Sequence, residues 1–160
     1  MHFYVFGLYV GMEIDLNEIL EYVHEHIPIT AEFGARLANY DGTSIEVTAP
    51  LKANINHRNS AFGGSLSAIG ILSGWALLFI KMRELKVKNK LVIQSSQFQF
   101  MAPVVGDFSA QCSLPEVEVY ARFLKTLERK GRARISIDSA IVCNGEVCGT
   151  HRGEYVAIRG

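Results

Sequence analysis

The sequence has little cysteine and no excess charge of either sign. Its 160 residues include 16 Lys and Arg against 16 Asp and Glu, and 49% of them are hydrophobic. A nucleic-acid-binding domain normally carries a basic surface, and a disordered chain combines low hydrophobicity with high net charge, so the composition argues against both classes. The three cysteines, an odd number, favour a reducing compartment over a disulfide-stapled secreted domain. We therefore expect a soluble, cytoplasmic protein that does not bind nucleic acid.

Sequence motifs of several common chemistries are also missing. There is no C-x-x-C pair, no G-x-S-x-G nucleophile motif and no glycine-rich fingerprint for a phosphate or a dinucleotide. His24 and His26 are two positions apart on a predicted helix, so they do not share a face and do not predict a zinc site. We expect no bound metal.

No uninterrupted apolar stretch is long enough to cross a bilayer. The main candidate, residues 66–80, is shorter than the roughly 20 residues of a membrane-spanning helix, and Ser and Gly interrupt it. A helix that is apolar on all sides is typical of a core helix, so we expect no membrane span. Residues 1–11, MHFYVFGLYVG, are also apolar but lack the basic residues of a signal peptide. They form either an extra edge strand, covered by a partner chain, or an extension ahead of a single domain at 12–160.

The first part of the domain predicts a helix and then paired strands. Asp15 starts a helix that ends before Pro28, because the residue before a proline avoids the helical region. Alternating apolar residues over 29–39 predict a strand, and Asp41-Gly42 is a hairpin signal that folds the next strand back on it.

The second part places a long helix among strands. The core helix runs over about 65–85, and a short helix at 115–130 begins with a capping-box pattern of Ser113 and Glu116. The last two strands meet at the Asn-Gly dipeptide 144–145, a tight-turn signal. Strands joined by hairpin turns form a mostly antiparallel sheet, so the predicted fold class is α+β with one long apolar helix packed on the sheet.

The start of the long helix is the first place where chemistry could occur. Gly63 and Gly64 leave backbone N–H groups at a helix N-terminus, where the helix dipole favours an oxyanion, a polarised carbonyl or a phosphate. Glycine also permits a close approach by a ligand. The other interpretation is a tight turn that lets the helix enter the sheet. Within the helix, Gly70 and Gly74 indicate either close packing against a strand or a ligand channel.

Polar side chains crowd the loop that precedes this helix. His57 has a side chain suited to proton transfer, and an asparagine could orient a water or a carbonyl. Asparagines also cap turns and helices, and a loop histidine is often a solvated surface group. Three asparagines lie in the loop: Asn54, Asn56 and Asn59.

The segment APLKANINHRNSAFGGSLSAIGILSGW, residues 49–75, resembles the hotdog-fold thioesterases. It is most similar to the thioesterase domain found C-terminal to some bacterial GNAT acetyltransferases and in stand-alone proteins, and the resemblance extends over residues 29–158. It implies a curved antiparallel sheet wrapped around the long helix. It also implies a homodimer with active sites at the subunit interface, which can pair into a dimer of dimers. The substrate would be an acyl group on coenzyme A or acyl carrier protein, with no further cofactor.

The resemblance also assigns roles to residues. The thioester carbonyl would meet backbone N–H groups near Gly64 and Ser65. Many hotdog thioesterases carry an Asp or Glu in the first turns of the central helix, but this helix has the sequence SLSAIGILSGW, with Ile71 near the expected position. The catalytic candidates that remain, with an activated water, are Asn56, His57 and Ser73; the substrate-binding candidates are Asn54, Asn59, Phe62, Gly63, Gly64 and Ser65. The missing carboxylate supports the alternative of a noncatalytic acyl-thioester binding or regulatory module.

Overall fold

The computed structural model describes residues 13–160, so the predicted N-terminal extension at 1–11 lies outside the described residues. Five helices and six strands follow one another along the described chain. Their bounds are α1 Leu16–His26, α2 Ile29–Glu32, β1 Arg36–Ala38, β2 Ser44–Ala49, α3 Leu51–Asn54, α4 Gly63–Glu84, β3 Asn89–Phe100, β4 Phe108–Ser113, α5 Val117–Lys130, β5 Arg132–Cys143 and β6 Glu146–Arg159.

The six strands form one sheet in the order β1-β2-β4-β5-β6-β3, and every neighbouring pair is antiparallel. Helix α4 contacts β2, β3, β4, β5 and β6, so the sheet curves around this helix. The predicted α+β class with a long central helix is confirmed. One edge of the sheet is the three-residue strand β1, and the other is the twelve-residue strand β3.

Helix α4 is apolar on nearly all sides because nearly all of its sides face protein. Ile69, Ala76, Leu77 and Ile80 are all fully buried. By length and composition the helix could cross a membrane, but 61% of its most apolar window is buried inside the fold. The hydrophobic surface of α4 is therefore used in the core, as the sequence predicts for this segment.

Strand β5 shows why the outer face of the sheet is polar. Its residues alternate between buried and exposed, with Ile135 and Ile137 facing the core and Arg134 and Asp138 facing outward. The turn after it, at 144–145, has φ of 51° and 77° at its Asn and Gly, the left-handed values of a two-residue hairpin turn. The predicted hairpin of β5 and β6 is confirmed.

The predicted strand at 29–39 is wrong over most of its length. Residues 29–32 form the short helix α2, and only residues 36–38 are a strand. The Thr30 hydroxyl donates to the carbonyl of Ile27, which continues the turn begun at Pro28. Gly34, with φ of 67°, then reverses the chain, so an extended strand starts only after it.

The two predicted helix caps differ in outcome. The Asp15 carboxylate accepts from the backbone N–H groups of Asn17 and Glu18 at 2.9 and 3.4 Å, so the predicted start of α1 is confirmed. The capping box at Ser113 is wrong. Ser113 is the last residue of β4, and α5 begins at Val117 without a side-chain cap.

Candidate functional site

The loop of residues 55–62, between α3 and α4, is organised by Asn56. The Asn56 side-chain oxygen accepts from the backbone N–H groups of Arg58 and Ser60 at 2.8 and 3.2 Å, and its amide donates to the Ser60 hydroxyl at 3.1 Å. Asn59 has a φ of 58°, which an asparagine tolerates better than most residues. Asn56 therefore holds the loop in shape, and its side chain is engaged within the loop.

Two backbone hydrogen bonds lead this loop into α4. The N–H of Ala61 donates to the carbonyl of Val104 at 2.8 Å, and the N–H of Phe62 donates to the carbonyl of Asn54 at 2.7 Å. Asn54 is 3% exposed, and its side-chain amide donates to the carbonyls of Phe33 and Pro50. The loop is thus tied on both sides to the rest of the fold.

Helix α4 begins without a capping side chain. Phe62 is its N-cap, and the first hydrogen bond of the helix runs from the N–H of Leu66 to the carbonyl of Phe62. Among residues 13–160, no side chain caps the backbone N–H groups of Gly63, Gly64 and Ser65. These donors lie at the positive end of a 22-residue helix. They are suited to hold an oxygen that carries or develops negative charge.

Aromatic rings lie against the two glycines at this helix start. A methyl group at Gly63 would lie 3.1 Å from Cε1 of Phe100, and one at Gly64 would overlap the ring of Phe62. Phe62 and Phe100 are 59% and 60% exposed. The two glycines therefore let both rings lie close to the helix start, and the free N–H groups are flanked by apolar surface.

The structure brings most of the predicted site residues to this helix start. Asn56 and Phe62 belong to the loop, and Gly63, Gly64 and Ser65 form the first turn of α4. The side chains of His57 and Asn59 are exposed on the same loop. Asn54 lies underneath, and its side-chain oxygen has no hydrogen-bond partner among the residues described.

Ser73 lies elsewhere. It is ten residues after Gly63, or about 15 Å along the helix axis. Its side chain is fully buried, and its hydroxyl is hydrogen-bonded at 2.7 Å to the carbonyl of Gly70 and at 2.7 Å to the hydroxyl of Ser139. The nearby Cys112 is also buried, and burial raises the pKa of its thiol to about 11. Ser73 therefore joins α4 to β5, away from the helix start.

The other helix glycines are explained by close packing, the first of the two interpretations of their spacing. A methyl group at Gly70 would lie 2.9 Å from Cβ of His151, and one at Gly74 would lie 2.5 Å from the hydroxyl oxygen of Tyr155. Both rings are buried, at 1% and 0% exposure. No ligand channel is needed to account for Gly70 and Gly74.

His151 is a polar residue that the sequence patterns did not single out. Its Nε2 lies 2.8 Å from the hydroxyl oxygen of Ser96, and its Nδ1 is buried without a hydrogen-bond partner in the described chain. Burial lowers the pKa of His151, against a smaller opposing effect of the Asp138 carboxylate. The available signal was a histidine at a buried position of an alternating strand, but its partner on β3 could not be identified from spacing.

The first turn of α4 has no carboxylate. Asp107 accepts from the backbone N–H of Leu51, at the start of α3. Residues 13–160 contain no group of three or more His, Cys, Asp and Glu side chains arranged to hold a metal ion.

A large groove lies across the outer face of the sheet and is separate from this site. Outward-facing charged residues of β2, β5 and β6 line it, among them Glu46, Arg134 and Glu154. Arg152 and Asp138 form an ion pair there, with 2.7 Å between Nε and Oδ1. Within the described chain, none of residues 55–65 lines this groove.

Solved structures define the class of this fold. A protein of unknown function from Chlorobaculum tepidum is 30% identical, with a TM-score of 0.86 over 90% of this chain and 94% of that chain. A Shewanella oneidensis protein described as a "putative thioesterase" is 24% identical, with a TM-score of 0.80 over 89% and 96%. A Haemophilus influenzae thioesterase is 15% identical, with a TM-score of 0.68 over 93% and 94%. The fold is the hotdog fold of these thioesterase structures, as the sequence resemblance implies.

The family follows from the sequence itself. The model of the family described as "Putative thioesterase (yiiD_Cterm)" matches residues 16–159. The chain belongs to this family, which is the one that residues 49–75 resemble.

Proposed function

We propose that this protein hydrolyses an acyl thioester carried on coenzyme A or on acyl carrier protein. The observation that carries the proposal is the uncapped start of α4, where the N–H groups of Gly63, Gly64 and Ser65 lie beside the rings of Phe62 and Phe100. Membership of a thioesterase family supports the same reaction. The apolar rings suit an acyl chain, and the N–H groups suit the thioester carbonyl.

The N–H groups would act on charge that develops during the reaction. Water adds to the carbonyl carbon, and the carbonyl oxygen becomes an oxyanion that the N–H groups and the helix dipole stabilise. The C–S bond then breaks, and the leaving thiolate takes up the proton that the water gives up. Backbone donors at a rigid helix start need no rearrangement as the charge appears.

The proton acceptor for the attacking water is a separate question, because the first turn of α4 has no carboxylate. His57 is the imidazole on the loop, directly after Asn56, and it is exposed to the solvent from which water arrives. We assign His57 the proton-accepting role. Asn56 would act through the shape of the loop that carries His57, since its own side chain is engaged. Ser73 has no part in this proposal because its hydroxyl is buried and hydrogen-bonded.

We also propose that a second copy of the chain completes the site. Strand β3 has twelve residues and pairs only with β6 within the described chain. A long unpaired edge strand is a site for pairing with another chain. Phe98 and Phe100 lie on this strand, so pairing along β3 would place the helix start of one copy beside its partner.

Proline substitutions test the role of the N–H groups. Proline is tolerated in the first turn of a helix, where its missing N–H would be free in any case. Gly64→Pro is therefore expected to keep α4 folded and to lower kcat for acyl-CoA hydrolysis by roughly 100- to 1000-fold, the usual effect of losing one oxyanion donor. Release of free thiol from a panel of acyl-CoAs measures the rate.

A matched variant separates loss of the donor from crowding of Phe62. Gly64→Ala keeps the N–H and adds a methyl group against the same ring, so it is expected to lose far less activity than Gly64→Pro. Equal losses in the two variants would mean that the N–H group is not used. A wild-type protein that hydrolyses no acyl-CoA and no acyl carrier protein thioester would end the proposal.

A noncatalytic acyl-thioester binding module is the second candidate, and the absence of a carboxylate from the first turn of α4 favours it. This function predicts binding of an acyl-CoA in a calorimeter without release of thiol. Turnover by the wild-type protein that falls in Gly64→Pro would exclude it.

A further inference from the structure

A row of side chains connects the start of α4 to the pair formed by Ser96 and His151. Phe100 lies against Gly63, and the ring centroids of Phe100 and Phe98 are 4.5 Å apart. The Phe98 ring lies 6.4 Å from that of His151. Successive inward residues of a strand share one face, so Ser96 is the next polar group in this row, about 13 Å along β3 from Phe100.

Burying His151 costs free energy that burying an apolar side chain would not. The His151 imidazole is 1% exposed, its Nδ1 has no partner among residues 13–160, and Gly70 is needed to make room for its ring. A buried polar group without a partner costs about 1–3 kcal/mol. Such a cost is typical of residues kept for function.

The missing partner of Nδ1 also indicates which nitrogen carries the proton. A buried N–H without an acceptor is rarer in proteins than a buried acceptor without a donor. The proton is therefore assigned to Nε2, which donates to the Ser96 hydroxyl oxygen at 2.8 Å. Among residues 13–160 the Ser96 hydroxyl has no other hydrogen-bond partner, so its hydrogen is available to another group, and Ser96 is exposed on the edge strand.

We propose that Ser96, held by His151, is a substrate-binding residue that donates a hydrogen bond to an oxygen atom near the far end of the acyl chain. The inference rests on the proposed function, which places the thioester carbonyl at the start of α4. The substrate class is then a medium-length acyl group with a hydroxyl or oxo oxygen at that distance. His151 is a positioning residue, since it acts through Ser96.

The surroundings favour the acyl chain over the carrier as the source of this oxygen. The row between Gly63 and Ser96 consists of the two rings of Phe98 and Phe100, which suit methylene groups better than the amides of a pantetheine arm. The oxygen should be neutral, because Arg152, the next residue after His151, faces the opposite side of the sheet and pairs with Asp138.

A matched pair of thioesters tests the proposal: decanoyl-CoA and the same acyl chain with a terminal hydroxyl. Octanoyl and dodecanoyl pairs vary the distance between the thioester carbonyl and the terminal oxygen. The wild-type protein is expected to prefer the hydroxylated member by roughly two- to tenfold in kcat/KM at one chain length, the worth of one hydrogen bond. In Ser96→Ala this ratio should fall to about one. Ser96→Thr, which keeps a hydroxyl, should restore it.

Ser95→Ala is the control, because Ser95 is exposed on the same strand and is paired with Glu154, which lines the groove on the outer face of the sheet. Its ratio should equal that of the wild type. His151→Gln keeps an N–H donor and should retain part of the preference, whereas His151→Leu should lose it through KM with kcat little changed. If His151→Leu does not fold, the Ser96 variants still decide.

Three results would overturn the inference. One is a wild-type ratio near one at every chain length, and another is an unchanged ratio in Ser96→Ala. The third is an equal loss on both members of a pair, which would place Ser96 on the carrier arm. If no thioester is hydrolysed, the proposed function fails, but the role of Ser96 can still be tested by binding. Calorimetry on the same pairs of thioesters should then show the same preference in the dissociation constants. Equal dissociation constants would contradict the role of Ser96.

Discussion

Gly70 lets the core helix α4 pack closely against β6, because it has a hydrogen atom where other residues have a side chain. Its α-carbon faces the buried ring of His151, and Gly74 faces the buried ring of Tyr155 in the same way. A glycine inside a helix costs about 1 kcal/mol relative to alanine. The helix accepts this cost twice because two large rings of β6 pack directly on its backbone.

Gly70→Ala is expected to destabilise the protein by about 1–2 kcal/mol. The methyl group would lie 2.9 Å from Cβ of His151, a ring that has no room to move, and the strain of overpacking exceeds the gain in helix propensity. Urea denaturation measures the change. Gly63→Ala is the comparison, since the Phe100 ring it meets is 60% exposed and can rotate away, so its loss should be smaller. A stabilised Gly70→Ala protein would contradict this account of the packing.

At the scale of elements, β3 differs from every other strand of the described sheet. It has twelve residues, most of them exposed, and no neighbour on one side. The opposite edge, β1, has three residues and is too short to recruit another chain. Of the two edge strands of the described sheet, only β3 is therefore long enough to pair with a second copy.

Paired Lys substitutions on β3 test the proposed dimer. In a two-fold antiparallel pairing, a residue near the centre of the strand lies close to its own copy, so Ser95→Lys with Gln97→Lys sets like charges against each other. We expect a dimer for the wild type and a roughly tenfold weaker dimer for the double variant, measured by light scattering over a range of concentrations. Ser136→Lys, on the outer face of the interior strand β5, should leave the dimer intact. A wild-type monomer would refute the pairing.

For the whole molecule, the buried imidazole couples stability to pH. The pKa of His151 is lowered in the folded state, so below its ordinary value the unfolded chain binds a proton that the folded chain does not. The free energy of unfolding should therefore fall as the pH decreases from about 7 to 5, and this fall should shrink in His151→Gln. Urea titrations at a series of pH values measure it.

Tyr155 and Asp41 distinguish the pH dependence caused by His151 from other effects on stability. Tyr155→Phe also removes a buried hydrogen bond, to the carbonyl of Ile71, but titrates nothing in this range, so it should lower stability without changing the pH dependence. The backbone N–H of Thr43, with further hydrogen bonds from Ser44, lowers the pKa of Asp41 to about 2. The contribution of Asp41 is present above its unfolded pKa and is lost only in stronger acid. An unchanged slope in His151→Gln would contradict the assignment to His151.

Much of the fold could be predicted from the sequence because it follows from local rules. The apolar length of α4, the alternation of β5 and the left-handed turn at 144–145 depend on residues close together in the chain. The glycine-rich helix start was found for the same reason, since a helix end leaves free N–H groups wherever it occurs. Alternation alone failed at 29–35, where the turn at Pro28 and the reversal at Gly34 override it.

Only the tertiary structure decided which distant groups meet. Ser96 and His151 are 55 residues apart, and they become partners because β6 lies between β5 and β3 in a register that sets Phe98 opposite His151. The same holds for Ser73 and Ser139, 66 residues apart, whose hydrogen bond removes Ser73 from the helix start. Strand order and register are properties of the whole sheet. The sequence by itself therefore determined most of the elements and the free helix start, and the packing of the sheet around α4 decided which polar side chains lie along it.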